Sequence, residues 1–505
     1  MKKRIATFGL SLLCFLGGVE KANAEQFHPQ TLKPGETRIV PDNLEPLEDM
    51  RILVGADTQT LSKSDNSKTV TVPSYDDRSI AQQIARKTGV PTESITNITY
   101  KWIEDCIALS YVIRHQDGSL RQVWVIPRQP SEQVRSNSRQ LYFFPGGNGL
   151  GLKPKQDLAL EFAQNRGIEV VRTKGYYEGG DILVAGKDVF VGQNTIMTNA
   201  LTQYQSITDQ DLENYEFNNA DMLDANQYLS KYSSNVSKYK DDTPIANLVI
   251  PSNYNQLSED QKILVAKKLI LSKQQATQQT RKDLNIPDNS RIISPYTTEF
   301  HLDMSMRPFA REDLKEGVLP EGKVGVAFLP DYSQTQDIIQ QLSTRYSLTS
   351  EYKSKITLRD ITEQDRITQN NKKLLESLGY VVVTVPSTLV TPFDGISFDG
   401  KPSNSKMYLL NSMTIGNNVV QATGSGNRDN NTNSQDHLNY IGMLNELESI
   451  MTKTTSERMA KFGLNTISVL SDVNSGNGGL DCVTQWDLTQ YLNKIERDII
   501  NFRKF

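Results

Sequence analysis

Short apolar runs rich in β-branched and aromatic residues alternate with stretches of helical periodicity along most of this 505-residue chain. That alternation restricts the fold more than any other feature. Strand-like runs fall at residues 50–54, 98–102, 107–114, 122–126, 141–144 and 168–172. Residues 181–185 and 188–192 flank Gly186-Lys187, a hairpin signal. Further strand-like runs lie at 291–294, 300–306, 324–329, 380–385, 406–411, 418–421 and 466–470. Helical periodicity marks residues 155–165, 258–278, 335–344, 362–378 and 436–451, with a last helix from 487 onward. Strands that alternate with helices indicate an α/β fold. The length is ample for a large buried core.

Two stretches stand apart. Residues 25–48 read as an irregular lead-in rich in Pro and polar groups. Residues 200–290 are rich in Asn, Gln, Tyr, Lys and Ser and read as an insertion or lid, largely helical. Residues 49–505, that insertion included, read as one domain.

Residues 1–24 have the form of a cleavable export signal. Lys2, Lys3 and Arg4 precede an apolar run at 5–19, and Ala22-Asn23-Ala24 offers a small-x-small cleavage site. The apolar run is shorter than the roughly 20 residues that span a bilayer. The expectation is a secreted or periplasmic bacterial protein, cleaved after Ala24, with no stable membrane association. The leader holds four basic residues and one acidic residue, so the remainder carries 51 basic against 58 acidic side chains, a net of −7. That balance disfavours nucleic acid as a partner and is compatible with a cationic substrate. Cleavage also leaves two cysteines, Cys106 and Cys482, too few for a disulfide framework.

Cys482 lies in Gly-Asn-Gly-Gly-Leu-Asp-Cys-Val-Thr-Gln, residues 476–485. Such a cysteine can be a small buried hydrophobe or a thiol brought to a ligand by a flexible loop. Asp481 beside it would raise the thiol pKa unless it points away. His301 and Asp303 occur in Phe-His-Leu-Asp-Met, residues 300–304. On a strand they would share one face, either as core groups or as an acid–base pair. Trp102-Ile103-Glu104-Asp105 precedes an apolar strand, on which Cys106 should face the core. Glu178-Gly179-Gly180-Asp181 opens a hairpin, as a solvated turn or as part of a site. Gly147-Asn148-Gly149-Leu150-Gly151 lacks the spacing of a dinucleotide loop, and no Gly-Lys-Ser/Thr follows. No His/Cys pair has metal-ligand spacing, and no Gly-x-Ser-x-Gly elbow occurs.

Taken in order, these segments resemble those of the guanidino-group-modifying enzymes: arginine, agmatine and peptidylarginine deiminases, dimethylarginine hydrolases and amidinotransferases. Trp102 to Asp105 is most similar to the peptidylarginine deiminase segment, and Glu178 to Asp181 to that of arginine deiminases. His301-Leu302-Asp303 is similar to the shared His-x-Asp motif. Met407 to Asn411 resembles the Asn-bearing strand, and Gly476 to Gln485 the nucleophile loop of agmatine deiminases. Two features depart from the relatives. Asp481 stands where many carry His or Arg, and the spacing from Glu178 to His301 is longer than in compact relatives, as an insertion would make it.

The resemblance implies a five-bladed, pseudo-symmetric α/β propeller, pentein-like, with the site at its centre. It implies Cys482 as nucleophile, His301 as acid and base, and Glu178 as the group that orients His301. Asp105 and Asp303 would hold the guanidinium, Asn411 would add a hydrogen bond, and Asp181 would serve the substrate or only the scaffold. No metal or cofactor is implied. The expected reaction is deimination of an arginine-type guanidinium, with peptidyl-arginine slightly favoured, to a ureido product and ammonia. Free arginine or agmatine deimination, amidino transfer, an inactive binding propeller and a Cys-His peptidase are the other readings.

Overall fold

The computed structural model describes residues 29–44, 46–55, 64–65, 68–69, 77–95, 106–128, 155–177, 179–223, 225–226, 229, 254–296, 301–355, 361–396, 402–407, 409–423, 434–470 and 484–502. It is α/β, built from several small sheets. Five of them share one plan. A first strand pairs antiparallel with a second, the chain then passes through helix, and a third strand returns parallel to the second.

Sheet I joins the two ends of the chain. Its first strand is Thr484–Asp487, paired with Arg51–Gly55, and Thr92–Ile95 returns after helix Asp77–Thr88. Sheet II is Leu109–Arg114, Leu120–Ile126 and Glu169–Arg172, with helix Lys155–Arg166. Sheet III is Ile182–Ala185, Asp188–Val191 and Arg291–Ile293. Sheet IV is Arg307–Ala310, Gly325–Asp331 and Tyr380–Pro386, with helices Tyr332–Arg345 and Ile361–Ser377. Sheet V is Met413–Ile415, Asn418–Thr423 and Asn465–Leu470, with helix Gln435–Ala460. The hairpins of sheets III and V turn on Gly186 and Gly416, both at positive φ, which an L side chain adopts only with strain. Side-chain caps fix the starts of the long helices: Asp331 accepts from the Gln334 N–H, and Ser434 from the His437 N–H.

Three-stranded sheets of this size bury too little by themselves, and each shares its core with its neighbours. Leu53 of sheet I packs with Trp124 of sheet II, and Val125 of II with Val184 of III. Phe190 of III packs with Ala327 of IV, Phe328 of IV with Val419 of V, and Val420 of V with Ile52 of I. Cys106 is buried among Leu53, Trp124 and Ile126, the core placement expected of it.

The lead-in is more regular than its composition suggests. Thr37–Ile39 adds to the outer edge of Leu109–Arg114 in sheet II, and Asn43–Leu44 to Met413–Ile415 in sheet V. Those edges carry backbone groups that need partners when buried, and no local sequence signal reports such a need.

Residues 200–290, read as an insertion or lid, include the crossover of sheet III. Helix Glu259–Asp283 buries Leu269, Ile270 and Ala276 and packs on helix Gln193–Gln203. The expected strands at 98–102 and 141–144 lie outside the described residues.

An ion-pair network spans the junction of sheets I and II. Arg166 Nη1 donates to Asp487 Oδ2 at 2.9 Å and Nη2 pairs with Glu93, while Arg51 Nη1 reaches Glu93 Oε2 at 3.3 Å. Partial burial pushes the Glu93 carboxyl up. The guanidinium groups of Arg166 and Arg51 outweigh this, and its pKa lies below the ordinary 4.5. A depressed carboxylate stabilises the fold above its unfolded-state pKa, and that contribution disappears as pH falls through the folded value. Glu93→Gln should therefore lower the Tm at pH 7. Thermal unfolding over a pH series should show the gap to the unmodified chain closing between about pH 5 and pH 3.

Candidate active site

The residues singled out from the sequence stand just ahead of the first strands of the five sheets. Asp105 precedes Leu109–Arg114, Glu178 and Asp181 precede Ile182–Ala185, and His301 and Asp303 precede Arg307–Ala310. Asn411 precedes Met413–Ile415 and Cys482 precedes Thr484–Asp487. Asp105, Glu178, Asp481 and Cys482 lie outside the described residues. Asp181, His301, Asp303 and Asn411 are described, and all four are buried.

His301 and Asp303 meet, though not as a strand. Residues 301–302 form a bend and 303–305 a turn, closed by the Ser305 and Met306 N–H groups donating to Leu302 O. A strand would have spent its backbone groups on a ladder. Here the Asp303 N–H donates to Gly180 O at 2.9 Å and the Leu302 N–H to Asp181 Oδ1 at 3.1 Å. The turn is thereby fastened to the Gly-Gly-Asp segment that opens sheet III.

Gly180 is the point of contact. A Cβ there would lie 2.5 Å from His301 Nδ1 and 3.2 Å from Asp303 Oδ2. Imidazole and carboxylate thus rest against one stretch of backbone, in a space that a side chain would occupy. His301 is 1% exposed and Asp303 0%. Asn411 Nδ2 donates to Asp303 Oδ2 at 2.7 Å, bringing sheet V to the same group. Close by, Arg307 Nη2 donates to Thr414 Oγ1 at 2.8 Å, also within the core.

Asp181 is engaged by protein donors. Its Oδ1 accepts from Leu302 N–H, and its Oδ2 accepts from Thr195 Oγ1–H at 2.5 Å. This geometry assigns Asp181 to holding the His301 turn in place. Of its two sequence readings, the scaffold role is the one these bonds support.

The segment leading to Glu178 is clamped from helices on the far side of sheet III. Asn199 exchanges two 2.8 Å hydrogen bonds with the Tyr176 backbone. Asp283 Oδ2 accepts from the N–H groups of Lys174 and Gly175 and from the Tyr177 hydroxyl. Burial pushes the Tyr177 phenol well above its ordinary range, so it stays protonated and donates. Thr195, Asn199 and Asp283 carry no sequence signal, since each works through a long-range contact. Gly180 was visible only as half of a turn.

A cavity of about 60 Å³ lies among these segments, lined by Asp42, Ile107, Ser110, Gly179, Met413 and Gln485, among others. Ile107, Gly179, Met413 and Gln485 are sequence neighbours of Asp105, Glu178, Asn411 and Cys482. Among the described residues, no cluster of three or more His, Cys, Asp or Glu is placed to hold a metal ion.

No family model matches the chain, and no curated protein matches it. Solved structures do align with most of its length. The chain is similar to the agmatine deiminase of Enterococcus faecalis at 13% identity and TM-score 0.41, over 90% of this chain and 98% of that one. It is similar to a dimethylarginine dimethylaminohydrolase solved as an adduct with S-methyl-L-thiocitrulline, at 10% identity and TM-score 0.35, over 86% and 99%. The DDAH of Pseudomonas aeruginosa in complex with citrulline aligns at 10% identity and TM-score 0.32, over 86% and 98%.

The contact at Gly180 is testable by size alone. Gly180→Ala should lower stability by about 1–3 kcal/mol through overpacking against His301, read by chemical denaturation.

Proposed function

We propose that the five sheets are blades of one α/β propeller and that the chain is an exported, cysteine-dependent hydrolase of arginine-type guanidinium groups. The observation that carries this reading is the placement of His301 and Asp303 against Gly180, with Asn411 donating to Asp303, beside the segment bearing Glu178 in the chain. A histidine and carboxylates gathered beside the starts of several strands suit a planar cation. A guanidinium stays protonated at ordinary pH and presents paired N–H groups, which carboxylates accept in bidentate fashion.

In this reading Asp105 and Asp303 hold the guanidinium, and Asn411 keeps Asp303 oriented. The bound cation favours the thiolate form of Cys482. The thiolate attacks the guanidino carbon, forming a C–S bond. His301, protonated, gives its proton to the departing nitrogen, the C–N bond breaks, and ammonia leaves a thiouronium on Cys482. His301, now neutral, takes a proton from water as the water attacks the same carbon. The C–S bond breaks, releasing the ureido product and regenerating the thiolate. Glu178 orients His301 and favours its charged form. Peptide- or protein-bound arginine is the favoured substrate, supported by Trp102-Ile103-Glu104-Asp105 and by the export signal.

The test is a ureido assay with ammonia detection on the chain lacking residues 1–24. Free arginine, agmatine, dimethylarginine and an arginine-containing peptide would each be offered. Cys482→Ala should abolish ureido product, and His301→Ala should lower kcat about 10²- to 10⁴-fold. Ureido product made equally by Cys482→Ala would sink the mechanism. No product from any of the four would sink the hydrolase reading.

A further inference from the structure

The lead-in does more than cover two sheet edges. Thr37–Ile39 runs antiparallel to the first strand of sheet II, and the Val40 N–H donates to Ser110 O at 2.9 Å. The chain turns at Pro41-Asp42, and Asn43–Leu44 then runs parallel to the first strand of sheet V, with Leu44 O accepting from the Gly416 N–H. Ser110 and Met413 both line the cavity of about 60 Å³, and so do Val40, Pro41 and Asp42. The turn therefore sits at the level where the first strands begin. Proline suits this position, because it has no N–H to satisfy and its φ is already fixed.

Asp42 reaches a third sheet. Its Oδ2 accepts from the Val184 N–H at 2.8 Å. Val184 belongs to the first strand of sheet III and is buried. The same strand follows directly on Gly180 and Asp181, the residues that fasten the His301 turn. On its other side the strand is held by its hairpin partner, and the Gly192 N–H bonds to Asp181 O. One segment thus ties sheets II, III and V together beneath the candidate site.

We infer that Asp42 is a positioning residue for the site: by fixing the strand Ile182–Ala185 on the side opposite its hairpin partner, it sets where Gly180 and Asp181 hold His301 and Asp303. Its catalytic consequence rests on the function proposed above, but its mechanical consequence does not. A buried N–H deprived of its acceptor is left unsatisfied, so removal of the carboxylate frees the strand on one edge. The shift passes to Leu302 through Asp181.

The experiment is amide hydrogen exchange on the full chain carrying Asp42→Ala or Asp42→Asn. The asparagine amide oxygen can accept the same N–H. Asp42→Ala should speed exchange at Val184 and at Leu302 by about tenfold or more, with Gly325–Asp331 of sheet IV unchanged. Asp42→Asn should restore protection at both. Asp42→Ser, too short to reach Val184, takes the place of alanine where the alanine chain does not fold. Unchanged exchange at Leu302, or an equal rise in all five sheets, would overturn the inference, as would asparagine behaving like alanine. With a substrate that the unmodified protein turns over, Asp42→Ala should lower kcat about tenfold while KM stays within about twofold. An unmodified protein that hydrolyses no guanidinium would count against the proposed activity alone, and the exchange comparison would still decide the role of Asp42.

Discussion

A buried carboxylate must find donors, and Asp181 finds them on two segments distant in sequence. One oxygen takes the Leu302 N–H and the other the Thr195 hydroxyl. Sheet III, its first crossover helix and the His301 turn are fastened at this one side chain. Without it, two buried donors would be orphaned and the turn would lose its main attachment beyond Gly180. The rest of the site is built outward from there. Gly180 provides the surface on which imidazole and carboxylate rest, Asn411 reaches Asp303 from sheet V, and Asn199 and Asp283 hold the approach to Glu178.

The sheets could not supply this rigidity singly. Each has only three strands of the repeated plan, and each borrows apolar surface from its neighbours. The shared cores run from sheet I through II, III, IV and V and back to I. The C-terminal strand Thr484–Asp487 lies on Arg51–Gly55 near the other end of the chain. Sheet I thus forms only when segments far apart in sequence meet. The Arg166 bridge to Glu93 and Asp487 sits at that junction, where partly exposed ion pairs contribute modestly and lose strength in salt.

What could be read from the sequence was what depends on neighbours along the chain. The alternation of strand and helix, the Gly186-Lys187 hairpin, the long helices and the burial of Cys106 all follow from local periodicity or a turn residue. His301 and Asp303 were expected side by side on a strand, and they lie in a bend and turn instead. Spacing by two puts side chains on one face of a strand, whereas this chain achieves the same end with a turn against glycine. The two short strands of the lead-in gave no signal, because their pairing is set by the exposed edges of Leu109–Arg114 and Met413–Ile415, far along the sequence. Residues 200–290 looked peripheral from their polar composition. Helix Glu259–Asp283 buries Ser272, Thr280 and Asp283 beside its apolar residues, and its many Lys and Gln residues mask the buried face.

Asp42, Asp181 and Asp303 show how such a site can gather acids without collapse. Asp42 and Asp181 each accept a backbone N–H, from Val184 and Leu302, in a region where first strands begin and backbone donors are left over by the sheets. Asp303 works in both directions: its N–H satisfies Gly180 O and its carboxylate accepts from Asn411. Hydrogen bonds that satisfy the backbone therefore also hold these acidic residues in place. Each of the five sheets opens with a strand, and in the chain each of those strands is preceded by a candidate carboxylate, imidazole, amide or thiol. That repetition explains why the candidate residues lie so far apart in sequence, each before a first strand. Asp42 and Asp181 are held by backbone donors and Asp303 by the Asn411 amide, so each of these carboxylates is oriented by the protein itself.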